Sequence, residues 1–200
     1  MFKYLKYKNK NLSIRNGIYY KSKKKQLCMI PVGEWILKEK KFIVLLNKKR
    51  REFNRFFIND IDNDISKTKL FFKKIISNKN MCLFLITLNF KSYQGVLGLK
   101  YSKNEIEIYF VLKLKKNKNM KVSLMNLLEY SKINFKVNKF IVKVLSKNKR
   151  AKKLYFQTGF RFKKRDYLRK LRLKNFNTHK ICVKSKSNVS YTYETLSFKV

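Results

Sequence analysis

The residues best suited to chemistry lie in two strand–loop–helix units. In the first, a strand over 104–114 gives way to Lys115-Lys116-Asn117-Lys118-Asn119 and then to a helix that starts near Met120. A helix N-terminus emerging from a strand presents free backbone N–H groups and the positive end of its dipole, which suits an anion and a pyrophosphate in particular. Lys115, Lys116 and Lys118 would add three ammonium groups at that point. The same stretch also reads as an ordinary connecting loop of a basic protein. In the second unit a strand ends at Leu145, Asn148 precedes a helix over 151–157, and Gly159-Phe160 returns the chain to a strand. Asn148 can cap that helix or hold a ligand amide. Tyr155 lies seven residues on, two helical turns along, near Asn148's face of the helix. A capped helix with a core tyrosine is the simpler alternative.

Two carboxylates complete the candidate set. Glu105 and Glu107 occupy one face and one end of the strand 104–114, since alternate strand residues share a face. So placed they can serve as a general base, directly or through water, or form a solvated strand face paired with lysines. Cys28, Cys82 and Cys182 are far apart and, with the one histidine, His179, share no metal-ligand spacing, so a structural zinc is not expected. The cysteines read as small buried apolar groups rather than nucleophiles, and His179 as a surface residue.

The elements that must position these residues follow from hydrophobic periodicity. Residues 1–25 read as a basic N-terminal extension, with a hairpin at Asn16-Gly17, a dipeptide suited to a type I′ turn. Leu27–Val32 reads as a strand ended by Pro31 and Gly33, and a helix runs from Glu34 to about Lys48. Phe53, Phe56, Phe57 and Ile58 continue on a turn or second short helix. Asp64 and Ser66 are cap-type residues for a helix over 66–77. Strands follow at 81–88, 94–101 and 104–114, then the helix carrying Val122, Leu124, Leu127, Leu128 and Tyr130. After it come a strand at 140–145, the helix at 151–157, a strand at 160–164, a basic irregular connection at 165–187 and a last strand at 190–199. The order β-α-α-β-β-β-α-β-α-β-β predicts a single α/β domain over 26–200, a mixed sheet with helices on its faces.

The formal charge of +40, from 51 Lys and Arg against 11 Asp and Glu, invites a nucleic-acid partner. The same chain holds 20 Asn and a single Ala, with 5 Gly and 1 Pro, the signature of AT-rich codons, and its lysines are spread along the whole length rather than gathered in one stripe. Compositional drift therefore explains the charge better than selection for a nucleic-acid partner does. A hydrophobic content of 44% with 15% aromatics argues against a disordered basic tail. No run of about 18 apolar residues is present, so no membrane span is expected. The basic start lacks an apolar segment of the secretory type, which makes a reduced, cytoplasmic setting the expectation.

The pattern N-x-x-A-x-x-x-Y-x-x-x-G-F, read on Asn148, Ala151, Tyr155, Gly159 and Phe160, resembles the GCN5-related N-acetyltransferases. Upstream, Phe56-Phe57-Ile58-Asn59-Asp60, Ile65-Ser66, Phe71-Phe72, Gly95-x-x-Gly98-Leu99 and Glu105-Ile106-Glu107-Ile108-Tyr109 look like the branch that acetylates nucleotide-linked amino sugars or protein N-termini. The resemblance covers roughly 26–164 and the final strand. It implies an α/β fold with a splayed strand pair and acetyl-coenzyme A as co-substrate. Leu112, Lys113 and Leu114 would pair with the pantetheine arm, and Lys115, Lys118, Asn119, Met120 and Lys121 would surround the pyrophosphate. Asn148, Arg150, Ala151 and Tyr155 would meet the cofactor, with Tyr155 as the acid for the departing thiolate and Glu105 or Glu107 as the base. Lys118 and Met120 stand where the family loop carries glycines. The function implied is acetyl transfer to a primary amine, a small molecule such as the amino sugar of a nucleotide-linked sugar. A protein N-terminal amine, or a non-catalytic basic protein that binds nucleic acid or ribosomes, are the alternatives.

Overall fold

The computed structural model describes residues 2–22, 25–56, 64–115, 119–173, 176–183 and 191–200. In chain order these are α1 (Lys10–Arg15), β1 (Ile18–Ser22), β2 (Lys25–Pro31), a 3-10 turn (Glu34–Lys38), α2 (Lys40–Glu52) and α3 (Ile65–Ser77). There follow β3 (Met81–Leu88), β4 (Ser92–Ser102), β5 (Glu105–Lys113), α4 (Asn119–Asn134), β6 (Lys139–Leu145) and α5 (Lys149–Gln157). The chain closes with β7 (Arg161–Leu173), β8 (Phe176–Val183) and β9 (Tyr191–Lys199). All nine strands form one mixed sheet in the order β1-β2-β3-β4-β5-β6-β9-β7-β8. β5 and β6 pair in parallel, and every other neighbouring pair is antiparallel. The expected α/β class with helices on a mixed sheet is the observed one.

Helices cover both faces of the sheet, so it has two cores. On one face α4 contributes Met120, Leu124, Leu127 and Leu128, and α5 contributes Tyr155, against Phe84, Leu97, Ile106 and Val142. On the other, α2 and α3 set Phe42, Leu46, Phe72 and Ile75 against Ile30, Leu85, Val96 and Leu112. A strand covered on both faces reads as a continuous apolar run, which is why β3 is Met-Cys-Leu-Phe-Leu-Ile-Thr-Leu rather than an alternation. The helix starts are set by local chemistry: Asp64 accepts from the Ser66 amide at 2.8 Å, and Asn148 Oδ1 accepts from the Ala151 amide at 3.1 Å.

Four readings of the sequence change. Residues 2–22 are not set apart from the domain. Phe2 and Leu5 are buried in the α4-side core, with the Phe2 ring 5.0 Å from Phe135, and β1 is one edge strand of the sheet. Lys6 Nζ donates to the carbonyls of Ile75 at 2.7 Å and Ile76 at 2.8 Å and to that of Asn78, occupying the C-terminal carbonyls of α3. Asn16-Gly17 ends α1, the Gly17 amide bonding Ile14 O at 2.9 Å, and β1 and β2 pair beyond it, antiparallel from Ile18↔Met29 to Ser22↔Lys25. The helix expected from Glu34 divides into the 3-10 turn and α2. The stretch 165–187, expected to be irregular, holds the later part of β7 and all of β8, paired from Tyr167↔Val183 to Leu173↔Phe176, with 174–175 and 184–187 outside the described residues. A ladder is made by backbone groups and does not need apolar alternation, so lysine-rich strands carry no period to read.

Among the described residues, no helix is long and apolar enough to cross a membrane, and no group of three His, Cys, Asp or Glu could hold a metal ion.

Candidate functional site

Two departures from a regular sheet meet on β5. Leu99 pairs with Ile108 and Gly98 with Phe110, so Tyr109 is the extra residue of a β-bulge. The bulge changes the side-chain phase. Ile106 and Ile108 face α4 and α5, whereas Phe110 and Leu112 face α2 and α3. On its other edge β5 pairs with β6 only over Glu105↔Lys139, Ile106↔Phe140 and Glu107↔Ile141. β5 continues to Lys113, and β6 continues to Leu145 while staying paired with β9 throughout. The two parallel strands therefore part beyond Glu107 and Ile141 into a wedge. α4 follows the free end of β5, and α5 follows the free end of β6.

The wedge leaves main-chain groups free. The Leu114 amide bonds Gln94 O at 2.9 Å, so even-numbered residues of this stretch direct their amides toward β4. By antiparallel alternation Val111 and Lys113 direct theirs into the wedge. Lys113 was expected there. Val111 was not, and only the bulge, a feature of pairing rather than of sequence, reveals its phase. Leu112 and Leu114, buried in the α2-side core, spend their amides on β4.

The expected loop residues divide. Lys115 Nζ donates to Ser92 Oγ at 2.6 Å, and Lys118 lies outside the described residues. Asn119 opens α4 and its carbonyl accepts from Ser123 Oγ at 2.8 Å, while Lys121 is exposed. Met120 does not stand over the helix end. Its side chain is buried against the sheet, where its Cε would lie 2.5 Å from a Cβ added at Gly95. Gly95 is thus small because Met120 is large.

On α5, Asn148 is the cap, Arg150 is exposed and Ala151 is half-buried. Tyr155 is 5% exposed, its ring 5.8 Å from Phe160 in an edge-on contact, within the cluster that holds Met120, Val142 and Val144. Burial pushes its phenol above the ordinary tyrosine value. The outer face of the helix carries Lys149, Lys152 and Lys153 with Phe156 and Gln157 along an open groove of about 530 Å³.

Glu105 and Glu107 share one face and sit at the closed end of the wedge. Glu105 is bonded by Lys139, and Glu107 stands 4.0 Å from Lys143. A carboxylate that the sequence did not single out lies deeper. Glu194 on β9 is 3% exposed and meets Lys152 Nζ at 2.7 Å and Arg165 Nη2 at 3.0 Å. Burial raises its pKa, but the hydrogen bonds from Lys152 and Arg165 outweigh that and hold it below the ordinary value. Nothing in Tyr-Glu-Thr marks it as buried, because its partners come from α5 and β7. It ties α5 to the sheet. Glu194→Gln should lower stability by about 1–2 kcal/mol, a figure discounted because Arg165 is half in water. Since the folded pKa is depressed, this contribution is present above about pH 4.3, the unfolded value, and is lost as pH falls through the folded value. Urea unfolding of both proteins at neutral pH and near pH 3 checks this, with the difference shrinking at the lower pH.

Comparison of the sequence with protein-family models and with curated proteins found no match. Solved structures do match. An acetyltransferase of the GNAT family from Chromobacterium violaceum superposes with a TM-score of 0.67 at 12% identity, over 92% of this chain and 85% of that one. The spermidine N-acetyltransferase from Vibrio cholerae, in complex with CoA and spermine, gives 0.65 at 14%, over 86% and 95%. The microcin C7 self-immunity acetyltransferase MccE, in complex with acetyl-CoA and AMP, gives 0.61 at 16%, over 87% and 92%. The fold is the one these proteins share.

Proposed function

We propose that this chain, whose fold is that of the GCN5-related N-acetyltransferases, transfers the acetyl group of acetyl-coenzyme A to a primary amine. The observation that carries the reading is the wedge between β5 and β6, with the free main-chain groups of Val111 and Lys113 on one side and the α5 helix bearing Tyr155 on the other. An extended amide-bearing arm bonds such an edge as an added strand would. The phosphate end of the cofactor is assigned to the α4 N-terminus, with Asn119 and Lys121, and to the groove beside Lys149, Lys152 and Lys153. Two of the structural neighbours hold acetyl-CoA or CoA, which supports this assignment.

The chemistry follows from the bond changes. A neutral amine attacks the thioester carbon, a C–N bond forms, the C–S bond breaks, and the sulfur leaves as a thiolate. Tyr155 supplies a proton to that sulfur, and the proton shed by the acylated nitrogen as the amide forms returns to the phenolate. The amine must first lose its ammonium proton, and Glu107 at the last paired position of the wedge is the better placed base, acting through water, with Glu105 further into the closed end. The acceptor we assign is a small amine, with the amino sugar of a nucleotide-linked sugar as the candidate to assay first.

Isothermal titration with acetyl-coenzyme A tests the reading, and a saturable heat is expected. The absence of heat at millimolar cofactor would overturn it. Salt-sensitive RNA binding in that case would favour the nucleic-acid reading that the charge of +40 supports.

A further inference from the structure

Three lysines stand on the strands that bound the wedge, Lys113 on β5 and Lys139 and Lys143 on β6. Their side chains meet different surroundings. Lys139 sits opposite Glu105 in the closed part and is bonded to it. Lys113 alternates with Leu112 and Leu114, which pack toward α2 and α3, so it belongs to the face that carries α4 and α5. Lys143 alternates with Val142 and Val144, which pack toward α4 and α5, so it belongs to the opposite face, the one that carries Glu107. It is the first residue on the open part of β6 to do so, since Ile141 is still paired with Glu107. Its Nζ stands 4.0 Å from Glu107 Oε1 with the lysine side chain 40% exposed, and its main chain is fixed by β9, opposite Thr195.

The polarity of the wedge brings a thioester to this amine. Phosphates at the α4 N-terminus lie at its wide end, so an arm bonded along Lys113 and Val111 carries its far end, the thioester, toward the vertex at Glu107 and Ile141. Lys143 is two residues from that vertex, about 6–7 Å of strand, and its Nζ reaches back to Glu107. Tyr155 lies on one face of the sheet and the Glu107–Lys143 pair on the other. A thioester in the slot therefore has an acid on one side and an amine with its base on the other. An amine held in this way gains the advantage of proximity over the same amine free in solution.

We propose that Lys143 is a self-acetylation site, its ε-amine taking the acetyl group of acetyl-coenzyme A when no other acceptor is present. This rests on the acetyl-transfer reading. The Lys143 ammonium passes a proton through water to Glu107, and the neutral nitrogen attacks the thioester carbon. A C–N bond forms, the C–S bond breaks, and the sulfur leaves as a thiolate that takes the Tyr155 proton. The second nitrogen proton returns to the phenolate as the amide forms. The products are acetylated Lys143, free thiol and a protonated Glu107, which releases its proton to water. Acetylation also removes the ammonium, and with it the charge that faces Glu107.

The test incubates the full chain with acetyl-coenzyme A alone and locates acetylated lysines over time by peptide mass spectrometry. Acetylation of Lys143 is expected at least about tenfold faster than that of any other lysine, at a rate that saturates with acetyl-coenzyme A and is independent of protein concentration. Tyr155→Phe should slow it about a hundredfold and leave the slow labelling of the other lysines as it was. Lys143→Arg should abolish the fast phase of thiol release. Labelling spread over the lysines at similar rates, or a Lys143 rate that Tyr155→Phe does not change, overturns the proposal. A rate constant that rises with protein concentration overturns it as well, since the acceptor is then a lysine of another molecule. Calorimetry with acetyl-coenzyme A tells the two possible failures apart. A saturable heat without acetylated Lys143 removes self-acetylation and leaves acetyl transfer standing, whereas the absence of heat removes the reading on which both rest.

Discussion

Tyr155→Phe is expected to lower kcat by about a hundredfold or more, the usual contribution of a positioned general acid, while changing the dissociation constant of acetyl-coenzyme A by less than about threefold. The split follows from where the residue sits. The ring is buried in the α4-side core and packs on Phe160, so phenylalanine keeps its shape and contacts. What is lost is one proton donor, needed when the C–S bond breaks and hardly before. Because burial raises the phenol's pKa, it stays protonated through the neutral range, and Tyr155 should put no ionisation on the acid side of the pH–rate profile. The same shift has a stability counterpart. The native state retains the proton above pH 10, where the unfolded chain has lost it, so the contribution is full below the unfolded pKa and declines as pH rises beyond it. Stopped-flow detection of free thiol, with cofactor binding by calorimetry, separates the two quantities. Unchanged kcat removes Tyr155 as the acid.

How much of this was legible in the sequence depended on whether the cause was local. The β3 strand, the α3 helix with its Asp64 cap, and the turn from Leu145 through Asn148 into α5 all rest on contacts within a few residues, and their bounds were readable to within one or two positions. The wedge itself was expected from the resemblance alone, because the point at which β5 and β6 stop pairing depends on residues more than thirty positions apart. The bulge at Tyr109 is of the same kind. Strict alternation along the strand would put Phe110 with Ile108, and the structure turns it to the opposite core. Glu194 was invisible for a related reason. Burial of a charged side chain is decided by what folds over it, and its neighbours are not adjacent in sequence. The lysine-rich composition hid β7 and β8, because uniform charge erases the period by which a strand is recognised.

The misplaced N-terminal segment supplies the other large effect. Gly33→Ala should destabilise the domain by about 3 kcal/mol, at the upper end of what overpacking usually costs. The reason is a backbone crossing rather than an unusual dihedral, since Gly33 has the extended φ of −120° that any residue adopts. A Cβ built there would lie 1.8 Å from the Tyr7 carbonyl oxygen, 2.7 Å from its carbon and 2.8 Å from its amide nitrogen. These are main-chain atoms, and no rotamer change moves them aside. The segment must shift as a unit. Its anchors are on both sides of the crossing, with Phe2 and Leu5 in the core, Lys6 on the α3 carbonyls, and Ser13 accepting from the Trp35 indole at 2.8 Å. Trp35 lies in the 3-10 turn that Gly33 itself introduces, so a methyl group at residue 33 pushes apart two pieces that this hydrogen bond holds together. Urea unfolding is the measurement, and it discriminates sharply. If residues 1–25 were a dispensable basic extension, Gly33→Ala would be close to silent and removing the segment would leave the midpoint in place. If they are part of the core, both changes lower the midpoint, and the alanine variant loses little further when the segment is also removed, because the clash then has nothing left to strike.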